Sequence, residues 1–199
     1  MDEKRLEILE RVSIIYMKYG IKSITMDDLA RELAISKKTI YRYFKDKNQL
    51  VHSIIEMKIK MDQAICTNNA QQSISAIEEM FSVMRFVMEN IGNINPTVFY
   101  DLQKYHPHTW KVIEDHKWIF VLNMITKNIE RGIKEGVYRK NLITTIIAKQ
   151  YVVSTDMIMN PSVFPWPEFQ FDVLFKEIME FQLNGMVNEK GRILLNKSL

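Results

Sequence analysis

Residues 24–50 read ITMDDLARELAISKKTIYRYFKDKNQL. Thr25 stands before MDDLARELA with aspartates just behind it, an N-cap followed by an acidic first turn that suits the helix dipole. Leu29, Ala30 and Leu33 form the buried stripe of this short helix. It hardly passes Ile35, because Ser36 is a fresh N-cap for KKTIYRYF. A turn of about three or four residues therefore joins two short helices. The second exposes Lys37, Lys38, Thr39, Arg42 and Tyr43, while Ile40 and Phe44 point inward. A helix with a polar N-terminal face and an apolar rear is suited to the DNA major groove.

Upstream, Leu6, Leu9, Val12, Ile15, Tyr16 and Tyr19 step by three or four, so 3–19 is one amphipathic helix that Gly20 stops. Downstream, Lys45, Asp46 and Lys47 make a polar break before NQLVHSIIEMKIKMDQAI resumes a long helical pattern. The layout is helix-turn-helix. Charge agrees: residues 1–60 hold 13 Lys/Arg against 9 Asp/Glu, whereas the remainder holds 14 against 15, so the net +3 arises wholly in the N-terminal third. Within 36–47 five basic residues accompany one acidic residue. A basic stretch interleaved with aromatics suggests a polyanion partner, though such a run alone is more often a solvated face.

The segment 24–50 resembles the DNA-binding domain of TetR-type regulators. Its specific part is the Thr-Ile-Tyr-Arg-Tyr-Phe run followed by Lys-Asp-Lys. Two departures stand out: Ala34 where many members have Gly in the turn, and Tyr43 where many have His or another polar residue. Ala tolerates a left-handed backbone less well than Gly, by roughly 1 kcal/mol. The resemblance implies DNA contacts from Thr25, Lys37, Lys38, Thr39, Tyr41, Arg42, Tyr43 and Lys47. Thr25, Tyr41, Tyr43 and Lys47 would reach phosphates, and the first turn of the recognition helix would face base edges.

Beyond residue 48 no motif is as sharp, but helical periodicity continues. Ile74, Ile77, Phe81, Met84, Met88 and Ile91 mark one helix, ended by Gly92. A short helix follows at 97–105, then a long one at about 108–135 carrying Trp110, Ile113, Trp118, Val121, Leu122, Ile125 and Ile129. Helices at about 142–159 and 168–187 flank the proline-rich loop 160–167, which cannot be helical throughout. The expected fold is all-α with about nine helices, divided into a DNA-binding domain at 1–47 and a second domain at 48–199.

In that second domain the resemblance implies a ligand pocket between helices. The concentrated large side chains nominate Phe81, Met84, Met88, Phe99, Tyr105, Trp110, Trp118, Leu122, Ile125 and Tyr151 for it, with ordinary core as the competing reading. The resemblance also implies a homodimer whose last two long helices form a four-helix bundle. Phe171, Leu174, Phe175, Ile178, Phe181 and Gln182 are spaced to make such a face.

The composition sets limits. Hydrophobic residues make up 47% and charged residues 26%, ordinary for a soluble globular protein. One cysteine, Cys66, excludes an intrachain disulfide and a multi-cysteine metal site. His106, His108 and His116, near Asp101, Glu114 and Asp115, are poorly spaced for metal, and none is expected. No glycine-rich phosphate loop, Gly-x-Ser-x-Gly or His-Glu-x-x-His occurs, and Cys66 has no adjacent base, so neither an enzyme nor a cofactor is expected. No apolar run approaches the roughly 18 residues of a membrane span, which points to a cytoplasmic protein.

The expected activity is transcriptional repression at a near-palindromic double-stranded DNA operator, relieved by a small, largely apolar effector. The alternative is a DNA-binding dimer controlled by a protein partner, or an activator, with no small-molecule ligand.

Overall fold

The computed structural model describes residues 2–165 and 167–198; Trp166, in the proline-rich loop, falls outside them. The N-terminal helices begin and end where their caps dictate. Helix α1 (Glu3–Tyr19) starts at Asp2, whose carboxylate accepts the N–H groups of Lys4 and Arg5. Helix α2 (Met26–Leu33) opens on a full capping box: Asp28 N–H donates to Thr25 Oγ1, and Thr25 N–H donates back to the Asp28 carboxylate. It closes on Ala34 at φ 55°, ψ 40°, the only non-glycine residue at positive φ among those described. Ser36 caps α3 (Lys37–Tyr43) by accepting Thr39 N–H.

Helix α4 (Lys47–Gln72) follows, then α5 (Ala76–Ile91), α6 (Thr97–Tyr105) and α7 (Pro107–Asp115). A π-helical segment (His116–Val121) continues directly into α8 (Leu122–Glu135). Helices α9 (Thr144–Ile158), α10 (Phe171–Met186) and α11 (Glu189–Ser198) complete the chain. The fold is all-helical, as the periodicity indicates. The stretch 107–135 is continuous, but its π segment breaks the α phase. Ile74, assigned by spacing to the apolar stripe of α5, lies ahead of the cap Ser75 and is 88% exposed. Helix α11 is an additional short element after α10.

The chain divides into two compact units, Met1–Asp62 with Asn93–Asp115, and Gln63–Gly92 with His116–Leu199. In the first, Ile8, Leu9, Val12 and Tyr16 of α1 pack with Leu29, Leu33, Ile40, Phe44, Leu50 and Ile54. Val98 and Leu102 of α6 join the same core. Asn95 N–H donates to Met17 O at 2.8 Å, fixing the start of α6 on the end of α1. The approach is close: a Cβ on Gly20, already at φ +85°, would lie 2.7 Å from Thr97 Oγ1.

The second unit gathers Ile77, Met80, Phe81, Met84, Ile125, Ile129, Tyr151, Phe175, Met179 and Leu183 around buried Tyr138. The Tyr138 hydroxyl donates to Asn128 Oδ1 at 3.1 Å, and Asn128 Nδ2 donates to Ala76 O at 2.9 Å, so these two polar side chains are paired within the core.

Candidate nucleic-acid interface and ligand cleft

The helix-turn-helix presents its polar residues in graded exposure. Lys38, Arg42 and Lys45 are exposed, Tyr41 is 44% exposed, and Thr39 and Tyr43 are half-buried. Burial of Ile40 and Phe44 turns the other side of α3 toward solvent. Lys37 is exposed and pairs with Asp27 at 2.9 Å, joining the first turns of α3 and α2. A solvated pair of this kind holds its lysine weakly, so exchange for a DNA acceptor costs little. The Arg42 guanidinium lies 5.9 Å from the Tyr43 ring centroid. Thr25 is exposed, but its hydroxyl donates to Asp28 at 2.6 Å.

Lys47 is placed differently from the rest. Its ammonium donates to the carbonyls of Ile21 at 2.5 Å and Ile24 at 2.6 Å, with Lys22 O at 3.4 Å. Half-burial holds its pKa below the ordinary lysine value, opposed by the carboxylates of Asp101 and Asp28. The expectation that Lys47 offers its charge to phosphate therefore meets an ammonium whose donors already face a loop. Sequence spacing could not reveal this, because the acceptors lie more than twenty residues upstream.

Asp101, which the sequence shows only as an acid near three histidines, fastens the same loop. Its Oδ2 accepts the N–H of Ile21 at 3.0 Å and of Lys22 at 2.7 Å. His106 is buried in this unit with no hydrogen-bond partner at Nδ1, and burial together with the Lys47 charge lowers its pKa. His108 is exposed, and His116, in the second unit, meets Gln63 at 3.1 Å. Among the described residues no three His, Cys, Asp or Glu side chains gather as a metal site.

The second unit holds a half-open cleft of about 310 Å³ between α4, α5, the π segment and α8. Cys66, Ala70, Phe120 and Met124 supply apolar walls, and Glu79, Asn123, Lys127 and Arg131 supply polar ones. Arg131 is the hub. It donates to Glu135 at 2.6 Å, Glu79 at 3.1 Å, Ser73 O at 2.8 Å and Ala70 O at 3.3 Å, so α8 grips the end of α4. Burial raises the pKa of Glu79, opposed by Asn128 and Arg131.

None of the ten residues nominated for a pocket lines this cleft. Phe81, Met84, Ile125 and Tyr151 are core, and Met88 and Leu122 pack against it. Phe99, Tyr105 and Trp110 belong to the first unit. Trp118 is 40% exposed because the π segment interrupts the α spacing used to place it. Phe120, on that segment, is the aromatic residue the cleft does use.

The nominated dimer face also divides. Phe175 and Gln182 are buried within their own unit, and Phe171, Leu174 and Ile178 pack partly against its core. Of that set Phe181 alone faces outward, at 82% exposure. The outward stripe of α10 is Val173, Glu177, Phe181 and Asn184, and beside it α9 exposes Ile146, Val153 and Met157.

Residues 15–54 match the family model of bacterial regulatory proteins, tetR family. The uncharacterized HTH-type transcriptional regulator YvaF of Bacillus subtilis is 23% identical over 172 residues, covering 84% of this chain and 88% of YvaF. A TetR transcription regulator structure from Haloarcula marismortui superposes with TM-score 0.78 at 11% identity, covering 94% of this chain and all of the other. A putative transcriptional regulator from Saccharomonospora viridis, in complex with choline, gives TM-score 0.76 at 17% identity, covering 95% and 100%. Among the described residues no helix is long and apolar enough to cross a membrane.

Proposed function

We propose that this chain, whose residues 15–54 match the tetR-family helix-turn-helix model, is a DNA-binding transcription regulator that acts as a homodimeric repressor released from its operator by a small, largely apolar ligand. One observation carries the ligand-gating reading. Helix α4 contributes Lys47 to the fastening of the helix-turn-helix loop and Cys66, Thr67, Ala70 and Gln71 to the wall of the cleft. A ligand that favours one setting of this helix over another biases the DNA-binding end. It does so only by the difference between its affinities for the two settings.

The cleft is at the small end of the roughly 300–1,000 Å³ typical of ligand sites, and its mixed lining suits an apolar body with a polar handle. The choline complex of the Saccharomonospora viridis regulator supports a small ligand in a fold of this kind. Lys37, Lys38 and Thr39 are proposed to read base edges, with Thr25, Tyr41, Arg42 and Tyr43 on the phosphates. The exposed apolar stripe of α9 and α10 is proposed as the two-fold interface, since a contiguous patch of this sort marks an association surface.

The test is displacement. Bound to DNA selected by the protein itself, the chain is titrated with a broad panel of small amphiphiles while anisotropy follows the duplex. Release by a defined compound, abolished by filling the cleft with Ala70→Trp, is expected. A cleft that stays empty and DNA affinity that no compound changes would favour control by a protein partner.

A further inference from the structure

Helix α6 carries chemistry that the helix-turn-helix does not account for. Lys22, in the loop before α2, donates from Nζ to the Tyr105 hydroxyl at 2.8 Å and lies 4.7 Å from that ring's centroid. Lys104 donates to the Tyr100 hydroxyl at 2.6 Å and lies 5.1 Å and 5.5 Å from the centroids of Tyr100 and Tyr105. The two rings meet edge to face at 6.4 Å. All four side chains are exposed.

This patch lacks a carboxylate partner of the kind that offsets several other lysines. Lys4, Lys37, Lys111 and Lys117 each pair with a carboxylate. Neither Lys22 nor Lys104 has one within ion-pair distance among the described residues. Residues 11–26 contain no Asp or Glu, and residues 90–113 contain only Asp101, which is buried and spent on the Ile21 and Lys22 N–H groups.

We propose that Lys22, Tyr100, Lys104 and Tyr105 form a DNA-backbone contact that extends the nucleic-acid interface from the helix-turn-helix onto α6; this rests on the DNA-binding reading above. Each ammonium retains two N–H donors after donating to its phenol. Each phenol accepts that bond and keeps its own proton to donate. The patch thus offers two positive charges and a row of donors, which suits the non-bridging oxygens of successive phosphates. Its place is fixed. Asp101 ties α6 to the loop, Val98 and Leu102 seat α6 in the first core, and Lys22 precedes Thr25 by three residues, a reach of roughly 10 Å. The cation–ring contacts and phenol hydrogen bonds hold both ammonium groups in position before DNA arrives. No base-reading geometry is involved, so the contact is indifferent to sequence.

The experiment measures affinity for a mixed-sequence duplex across a salt series. Lys22→Gln/Lys104→Gln should lower the slope of log K against log salt by about 1.8, two phosphates at about 0.9 each. Lys22→Arg/Lys104→Arg should retain the slope, which separates charge from folding. Lys111→Gln, removing a lysine of the same unit already paired with Asp115, should leave it unchanged. A double glutamine variant that melts like the parent, binds the duplex and keeps the parental slope overturns the proposal while leaving DNA binding intact. A parent protein that binds no duplex overturns both.

Discussion

Lys47 and Asp101 fasten one loop from opposite sides of the peptide group. The lysine donates to the carbonyls of Ile21 and Ile24, and the aspartate accepts the N–H groups of Ile21 and Lys22. The loop so held leads directly into Thr25, the cap of α2, and so sets how the helix-turn-helix is mounted. Replacing Lys47 by Met keeps the stem but strands two carbonyls. The first unit should lose about 1–3 kcal/mol, read by denaturant unfolding. The salt slope of DNA binding should not change; a slope lowered by about 1 would place the Lys47 ammonium on a phosphate instead.

Ala34 closes α2 in the left-handed region, where a Cβ is a liability. Ala34→Gly removes the strain at the expense of a more flexible unfolded chain. A net gain of about 0.5–1 kcal/mol in unfolding free energy is expected. A loss would mean that the turn opens to another conformation in solution.

Phe175 and Phe181 differ by six positions and face opposite environments, 2% and 82% exposed. Phe181→Glu should give a folded monomer with parental helix content and no operator binding. Phe175→Glu buries a charge in the second core and should destabilise by more than about 3 kcal/mol. Sedimentation and circular dichroism separate the outcomes. A dimeric Phe181→Glu protein would move the interface off α10.

Burial lowers the pKa of His106, with Lys47 adding to the effect and Asp101 opposing it. The unfolded chain then binds the proton more tightly than the folded one. The stability His106 contributes is present above its unfolded pKa of about 6.5 and is lost as pH falls through the folded value. Between about pH 7.5 and 5.5 the His106→Gln variant should lose less unfolding free energy than the parent, the difference not exceeding about 1.4 kcal/mol per pH unit. Equal losses would show that folding leaves the proton affinity of His106 unchanged.

The parts legible in the sequence are those that local chemistry decides. Thr25 and Ser36 cap the helices their neighbours predict, Gly20 ends α1, and the apolar spacing marks α4, α5, α6, α9 and α10 closely. What stayed hidden depends on partners far along the chain or on a break in phase. Asp101 meets the loop across about eighty residues, so no local pattern marks it. The π segment shifts the register inside 108–135, so Trp118, inward by regular α spacing, is 40% exposed, while Phe120 lines the cleft. On α10 an apolar residue falls on nearly every face, and periodicity alone does not tell the side packed on its own core from the side left open.

The most direct test of the regulator account is selection from a random-sequence duplex library by the purified protein. The account predicts enrichment of a near-palindrome whose half-sites are about one helical turn apart, as two recognition helices on a two-fold axis require. The same selection with Phe181→Glu should return no motif. Enrichment of a single, asymmetric site by the parent protein, or of none at all, would contradict it.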